Sequence, residues 1–244
     1  MLKRLKNPAT VARIKREMLN PGSNWENLYY HAGPDGIRLA SVAEPSLKPL
    51  IGKTIAEIAK QRGVAPEQAV IDLVLADQGR SGATYFLMNE DNVRRQTAIP
   101  WVSFGSDAEA SAPEGVFLKS STHPRAYGNF ARFLGKYVRD EKTTTFADAV
   151  RRLTALPASN LGIRDRGRLA PGMAADVVLF DLVTIADHAT FDRPMQFATG
   201  VRDVFVNGVQ VLKGGEPTGA TPGRFVKGPG WTGWPGGGAC VKRP

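Results

Sequence analysis

The first 160 residues alternate short apolar runs with segments of helical spacing, and this alternation limits the possible folds more than any other feature of the chain. Three apolar runs are predicted to be strands: Ile37 to Val42, Ala83 to Met88 and Trp101 to Gly105. They are nearly continuous in apolar character, as strands buried on both faces are. Strands that alternate with helices favour a parallel sheet covered by helices. The sequence therefore predicts the α/β class.

Helical spacing and end signals place helices between and after these strands. Thr54 and Gly63 are expected to cap the two ends of one helix, and Pro66 is expected to open the next. Thr145 with Asp148 three residues further on indicates a capping box. The predicted helices are Asn7 to Leu19, Thr54 to Arg62, one from Pro66 onward, Glu90 to Thr97, Phe130 to Arg139, and Phe146 to Leu156, which Pro157 ends.

The pattern changes from Arg168 onward. A strand is predicted from Ala175 to Asp181. Asn207-Gly208 lies between two Val-rich runs and predicts a hairpin, because both turn positions need a positive φ. We therefore expect three regions: residues 1–160 as the layered α/β part, 161–227 as a small all-β domain, and 228–244 as a disordered tail rich in Gly and Pro.

The net charge of +9 raises the question of nucleic-acid binding, because clustered cations neutralise phosphates. Most basic residues are interleaved with acidic ones, as in Arg139-Asp140-Glu141-Lys142, and no known nucleic-acid-binding motif occurs. We expect no nucleic-acid partner. The net positive charge instead predicts a weak attraction of anionic substrates.

Membrane spans and cysteine chemistry are not predicted. No apolar run approaches the roughly 18 residues that cross a bilayer, and no apolar segment follows the basic start. We expect a cytoplasmic protein with no membrane partner. The single cysteine, Cys240, excludes an internal disulfide and a cysteine metal cluster.

Asp107 is the leading candidate for catalysis. It follows the apolar run that ends in Gly105-Ser106, and barrel enzymes place catalytic groups at the C-terminal ends of buried strands. A carboxylate there can accept and donate protons. A helix N-cap or an Asx turn at the end of the strand accounts for the same residue.

Three motifs follow one another along the chain: Phe104-Gly-Ser-Asp107, His123-Pro-Arg-Ala-Tyr-Gly-Asn-Phe130, and a stretch that reads Gly-Arg-Leu-Ala-Pro-Gly-Met-Ala-Ala-Asp up to Asp176. Together they resemble the N-acyl-D-amino-acid deacylases, the D-aminoacylase branch of the amidohydrolase superfamily. The third motif is widespread in amidohydrolases, whereas the first two are narrower. The resemblance runs from near Trp25 to about Lys227.

The resemblance implies the C-terminal part of a (β/α)₈ barrel plus a small β-domain. It also implies a zinc-dependent hydrolase that cleaves N-acyl-D-amino acids to a carboxylate and a D-amino acid. In this family a carboxylate takes the proton of the attacking water and passes it to the departing amine. The resemblance assigns that role to Asp107, with a metal contact as a second role.

Two further residues receive roles from the same resemblance. Arg125 is assigned to the substrate carboxylate, which suits its planar, two-pronged donor geometry. Tyr127 is assigned to a further substrate contact. A salt bridge that fastens the loop is the alternative for Arg125, and ordinary loop packing is the alternative for Tyr127.

The metal ligands that the family implies do not occur in this sequence. The family binds its metal with a His-x-His pair, a Cys or bridging ligand and further His residues, whereas the three histidines here are isolated. We expect each to be structural: His31 in a loop, His123 orienting the Pro-Arg turn through a hydrogen bond, and His188 in an exposed region. Zinc would then need ligands from elsewhere.

The number of predicted strands leads to the same expectation. A complete barrel takes about 250 residues, and only three barrel-type strands can be counted. We expect an incomplete C-terminal portion that is inactive alone, is prone to aggregate at its open sheet edge, and pairs with a separate N-terminal half. The alternatives are an amidohydrolase acting on cyclic amides, and a non-catalytic remnant or interaction module.

Overall fold

The computed structural model describes residues 1–21, 24–119 and 122–233. They form two compact units, each assembled from separate chain segments. The first contains residues 1–93, 107–127 and 189–197, and the second contains 94–106, 128–188 and the described residues from 198 onward. The division into 1–160, 161–227 and 228–244 stays a prediction.

The first unit begins with helices whose ends follow their capping residues. Asn7 accepts the Thr10 amide at 3.1 Å and starts the first helix. Thr54 and Glu57 form the reciprocal bonds of a capping box, and Gly63 ends that helix with φ +65°. The elements are α1 (Pro8–Met18), α2 (Leu28–Ala32), β1 (Ile37–Ser41), α3 (Ile55–Arg62), α4 (Pro66–Ala76) and β2 (Gly82–Tyr85), with 3-10 helices at Arg4–Lys6, Pro34–Gly36, Pro45–Leu50 and Gly115–Lys119.

The strands β1 and β2 pair antiparallel, with Ile37 opposite Tyr85 and Leu39 opposite Ala83. The predicted parallel arrangement of these two strands is therefore wrong. Apolar patterning reports which faces are buried and carries no information on strand direction. The buried core of this unit is Ile37, Leu39, Val42, Leu47, Leu50, Ile55, Ile58, Ala59, Ala69 and Leu73.

The remaining elements are α5 (Glu90–Ala98), α6 (Arg125–Arg132), a π-helix (Phe133–Asp140), α7 (Phe146–Leu153), α8 (Ala155–Asn160), β3 (Val177–Phe180), β4 (Val201–Val206), β5 (Val209–Lys213) and β6 (Glu216–Pro217). The predicted helix from Phe130 to Arg139 is the end of α6 continued by the π-helix. The next predicted helix ends earlier than expected, at Leu153, because Thr154 leaves helical backbone angles. Pro157 does not end a helix. It lies in the first turn of α8, where a missing N–H costs no hydrogen bond.

The second unit contains an antiparallel sheet in the order β3-β4-β5-β6. The predicted hairpin is confirmed: Val206 pairs with Val209, and the turn residues Asn207 and Gly208 have φ values of +50° and +79°. Of the predicted tail, residues 228–233 include a turn closed by the Trp231 amide on the Gly228 carbonyl at 3.1 Å. Residues 234–244, with Cys240, lie outside the described residues.

No helix within the described ranges has the length and apolar character needed to cross a membrane.

Candidate functional site

Asp107 has an unusual backbone and an exposed side chain. Its φ of +50° lies in the left-handed region, which Asp and Asn adopt more readily than other residues with a side chain. Its Oδ2 accepts a hydrogen bond from Nη2 of Arg125 at 2.5 Å. Among the described residues its carboxylate accepts no backbone N–H, so neither the N-cap nor the Asx turn occurs.

Arg125 is the first residue of α6, and its amide donates to Nδ1 of His123 at 3.1 Å. The predicted role of His123 in orienting the Pro-Arg turn is therefore confirmed. The Arg125 side chain is 41% exposed and that of Asp107 is 85% exposed. Exposed ion pairs of this kind contribute about 0–1 kcal/mol, so either partner can exchange for another ion at low cost.

His123 is half-buried, and its ring meets the ring of Phe191 edge-on at 5.1 Å between centroids. Burial and the positive charge of Arg125 lower the pKa of His123, and the charge of Asp107 opposes them only in part. The imidazole is therefore neutral at pH 7. A neutral ring is required for Nδ1 to accept the Arg125 amide.

The Tyr127 side chain contacts Ser111 and Phe197. Its hydroxyl lies 3.4 Å from Oγ of Ser111, and its ring centroid lies 5.9 Å from that of Phe197. The Tyr127 hydroxyl makes no hydrogen bond to either Asp107 or Arg125, both of which are described residues. The structure thus brings together two of the three predicted site residues.

The glycine of the His-Pro-Arg-Ala-Tyr-Gly motif has a packing role. A Cβ on Gly128 would overlap the carboxylate of Asp187, which lies against the helix backbone there. The same carboxylate pairs with Nη1 of Arg132 at 3.3 Å. Residue 128 must be glycine for Asp187 to approach α6 this closely.

The aspartate of the third motif is also structural. Oδ1 of Asp176 accepts a hydrogen bond from the backbone N–H of Asn207 at 2.8 Å, and its carboxylate also pairs with Arg166. Asp176 therefore joins the loop of Arg166 to the β4–β5 hairpin. Burial alone would raise the pKa of Asp176, but the Asn207 amide and Arg166 together outweigh it and lower that pKa.

Arg152 holds the segment that leads to Asp107, and the sequence did not single it out. Its side chain is fully buried. Its guanidinium donates to the carbonyl oxygens of Val102 at 2.8 Å, Thr97 at 2.6 Å and Gln96 at 3.3 Å. It also lies over the ring of Phe104 at 4.8 Å. One signal was available: Arg152 is three residues from the buried Ala149 and shares its helix face.

These bonds also explain a wrong strand prediction. Trp101 to Gly105 forms no ladder with any strand in the described part of the chain. The carbonyl of Val102 binds an arginine side chain where a strand would bind a neighbouring amide.

The residues present do not fit a metal ion by themselves. Within the described ranges, no three His, Cys, Asp or Glu side chains lie together in a way that would hold one. Asp107, the predicted ligand, is paired with Arg125. His31 lies in α2 and not in a loop, because Asn27 caps a short helix there. His188 is exposed, and its Nε2 lies 2.9 Å from Oγ1 of Thr199.

Comparison with known proteins places this arrangement in a family. The model of the amidohydrolase family matches residues 29–212. The chain is 40% identical over 176 residues to the N-acyl-D-glutamate deacylase of Alcaligenes xylosoxydans xylosoxydans. The aligned region covers 72% of this chain and 33% of that protein. It is 38% identical over 177 residues to the D-aminoacylase of the same organism, covering 72% and 34%.

A solved structure agrees with these relatives. The N-acyl-D-glutamate deacylase of Bordetella bronchiseptica, complexed with zinc and a phosphonate mimic of the tetrahedral intermediate, matches with a TM-score of 0.64 and 33% identity over 86% of this chain and 44% of that one. The chain spans about a third of the length of the curated relatives it matches. With three quarters of its residues matched by the family model, this mixed helix-and-sheet chain belongs to the amidohydrolase family.

Proposed function

We propose that this chain is the C-terminal portion of a metal-dependent amidohydrolase that cleaves N-acyl-D-amino acids to a carboxylate and a D-amino acid. The observation that carries the proposal is the Asp107–Arg125 pair at 2.5 Å, in a chain 36–40% identical to three deacylases of this substrate class. In this proposal the chain supplies the last part of the barrel and the small β-domain.

Asp107 is the proton carrier in this proposal. Its carboxylate accepts a proton from the water that attacks the amide carbonyl, and it returns that proton to the nitrogen as the C–N bond breaks. The exposed side chain and the left-handed backbone present the carboxylate at the surface of the first unit.

Arg125 is the carboxylate clamp. Its present partner is the Asp107 carboxylate, which has the same chemistry as the carboxylate of an N-acyl amino acid. We expect the substrate to displace Asp107 from the guanidinium, which releases Asp107 for proton transfer. Tyr127, two residues further along the helix, adds a substrate contact after its side chain leaves Ser111.

Zinc belongs to the proposal for the whole enzyme. Asp107 supplies at most one ligand, and the described residues do not complete a site. We propose that a separate N-terminal half carries the remaining ligands.

The first test replaces Asp107 with Asn in the enzyme reassembled with its N-terminal half. Asn keeps the size of the side chain and tolerates the left-handed backbone, so folding should be unchanged. Turnover of an N-acetyl-D-amino acid should fall by several orders of magnitude, because the amide cannot accept the proton. Undiminished turnover by Asp107→Asn would remove Asp107 from this role.

The second test separates Arg125 from the chemistry. Arg125→Ala should raise the KM for an N-acetyl-D-amino acid and have little effect on the matching substrate whose carboxylate is amidated. Arg95→Ala, at an exposed arginine of α5, is the control and should leave the KM for both substrates unchanged. Equal losses on both substrates would point to a structural salt bridge, and would leave hydrolysis of cyclic amides as the better account.

A non-catalytic remnant or interaction module is the second candidate, and the incomplete metal site favours it. The encoding DNA separates the two. An adjacent open frame with a His-x-His motif supports a split or longer enzyme, whereas its absence supports the remnant.

A further inference from the structure

The second unit contains a cleft with an excess of positive charge. It has a volume of about 610 Å³ and lies between residues 162–166 and residues 224–229. Small-molecule sites commonly have volumes of about 300–1,000 Å³. Among the described residues, its charged lining consists of Arg164, Arg166, Arg224 and Lys227 with Asp165 as the acidic residue.

Arg166 forms the fixed wall of this cleft. Its guanidinium pairs with Asp176 and donates to Oδ1 of Asn207 at 2.6 Å, and its side chain is only 18% exposed. Asp165 comes no closer to its Nε than 3.9 Å. Asp176 therefore compensates the charge of Arg166, and the acidic residue of the lining is a weak partner.

Arg164 and Arg224 differ from Arg166. Both are exposed, and neither side chain makes a hydrogen bond or ion pair with any described residue. Each comes from one of the two chain segments that border the cleft. Two arginines without an ion-pair partner among the described residues thus line one cleft, which favours binding of an anion with more than one negative charge.

An aromatic surface lies beside these cations. Phe225 lines the cleft and is 64% exposed, and its ring centroid lies 5.2 Å from that of Trp231. Lys227 places Nζ 5.8 Å from the centre of the Trp231 ring. Exposed rings next to cations are a common platform for flat, anionic ligands such as nucleotides.

We propose that this cleft binds a small nucleotide, with its phosphates on Arg164 and Arg224 and its base against Phe225. A terminal phosphate carries about two negative charges and three acceptor oxygens, which suits two forked donors better than a single carboxylate does. No residue that lines the cleft has a role in the proposed deacylase reaction, so neither proposal depends on the other.

The test is calorimetric titration of ADP into the full 244-residue chain, without any deacylase substrate. We expect saturable binding that weakens as salt is added. Arg164→Gln combined with Arg224→Gln should lower the affinity by roughly tenfold or more, since each arginine loses charged hydrogen bonds. Arg13→Gln on α1, an exposed arginine of the other unit, is the matched control and should leave binding unchanged.

A second variant tests the aromatic part. Phe225→Ala should weaken ADP binding but leave inorganic pyrophosphate binding as it was. Circular dichroism should show all variants folded, because the three side chains are exposed. The proposal is overturned if ADP shows no saturable binding, if the double variant binds ADP as tightly as the wild type, or if Phe225→Ala changes ADP and pyrophosphate affinity equally.

Discussion

At the scale of single residues, the Asp107–Arg125 pair combines an exposed carboxylate with a left-handed backbone at Asp107. An exposed ion pair of this kind stabilises a loop only weakly. In the proposed reaction this matters, because the substrate carboxylate has to displace Asp107 from Arg125.

Arg152 is the residue whose loss should cost most stability. Arg152→Met would leave three carbonyl oxygens without their donor and remove the cation stacked on Phe104. We expect a loss of about 3 kcal/mol in the free energy of unfolding, measured with urea. Arg151→Met, at the neighbouring position whose side chain is 42% exposed, should cost no more than about 1 kcal/mol. Equal costs for the two variants would contradict this account.

Local chemistry made part of the site predictable. Asp107 and Arg125 were identified from their motifs, and the hydrogen bond of His123 to the turn is present as predicted. Their direct pairing was not predicted, because 18 residues separate them and no local rule sets that distance. The role of Arg152 depends on contacts 50 or more residues away, which helical spacing does not contain.

At the scale of elements, signals within a few residues worked well. The helix cap at Thr54, the helix end at Gly63 and the Asn207-Gly208 hairpin each depend on one turn of chain. The capping box predicted at Thr145 forms only in part: Thr145 accepts the Asp148 backbone N–H, but the Asp148 carboxylate bonds to Thr144 and Arg151. The direction of the strands could not be predicted from such local signals. The β1–β2 pair is antiparallel because partner choice depends on how distant segments meet.

The hairpin supplies an element-scale prediction. Gly208 has φ +79°, and a Cβ there would meet Cβ of Ala175 at 3.9 Å, an ordinary contact, so Gly208→Ala introduces backbone strain without a clash. We expect a loss of about 1–2 kcal/mol in the free energy of unfolding. Gly223→Ala, where φ is not positive and no atom is near, should cost little. A thermal melt of the two variants measures this difference. If Gly208→Ala leaves the melting temperature unchanged, the turn tolerates another conformation.

At the scale of the whole molecule, the buried carboxylate of Asp77 should contribute to unfolding in acid. Asp77 is fully buried and accepts the amides of Ala43 and Glu44 and the hydroxyl of Ser81. Burial alone would raise the pKa of Asp77, but these bonds outweigh it and place that pKa below its usual value of 3.8. The stability from Asp77 is therefore present above the unfolded pKa and is lost as pH falls through the folded one.

The corresponding experiment compares the wild type with Asp77→Asn by urea unfolding at pH 7 and at pH 3. We expect the wild type to have a clearly larger free energy of unfolding than Asp77→Asn at pH 7. The difference between the two proteins should be smaller at pH 3. A difference that does not change with pH would show that Asp77 stabilises the first unit by shape and not by charge.

The most direct measurement of the central claim is zinc content together with hydrolysis of an N-acetyl-D-amino acid by the purified 244-residue chain. The account predicts substoichiometric zinc and no turnover by the chain alone. Stoichiometric zinc with turnover selective for the D-substrate would contradict it, since the chain would then form a complete metal site by itself.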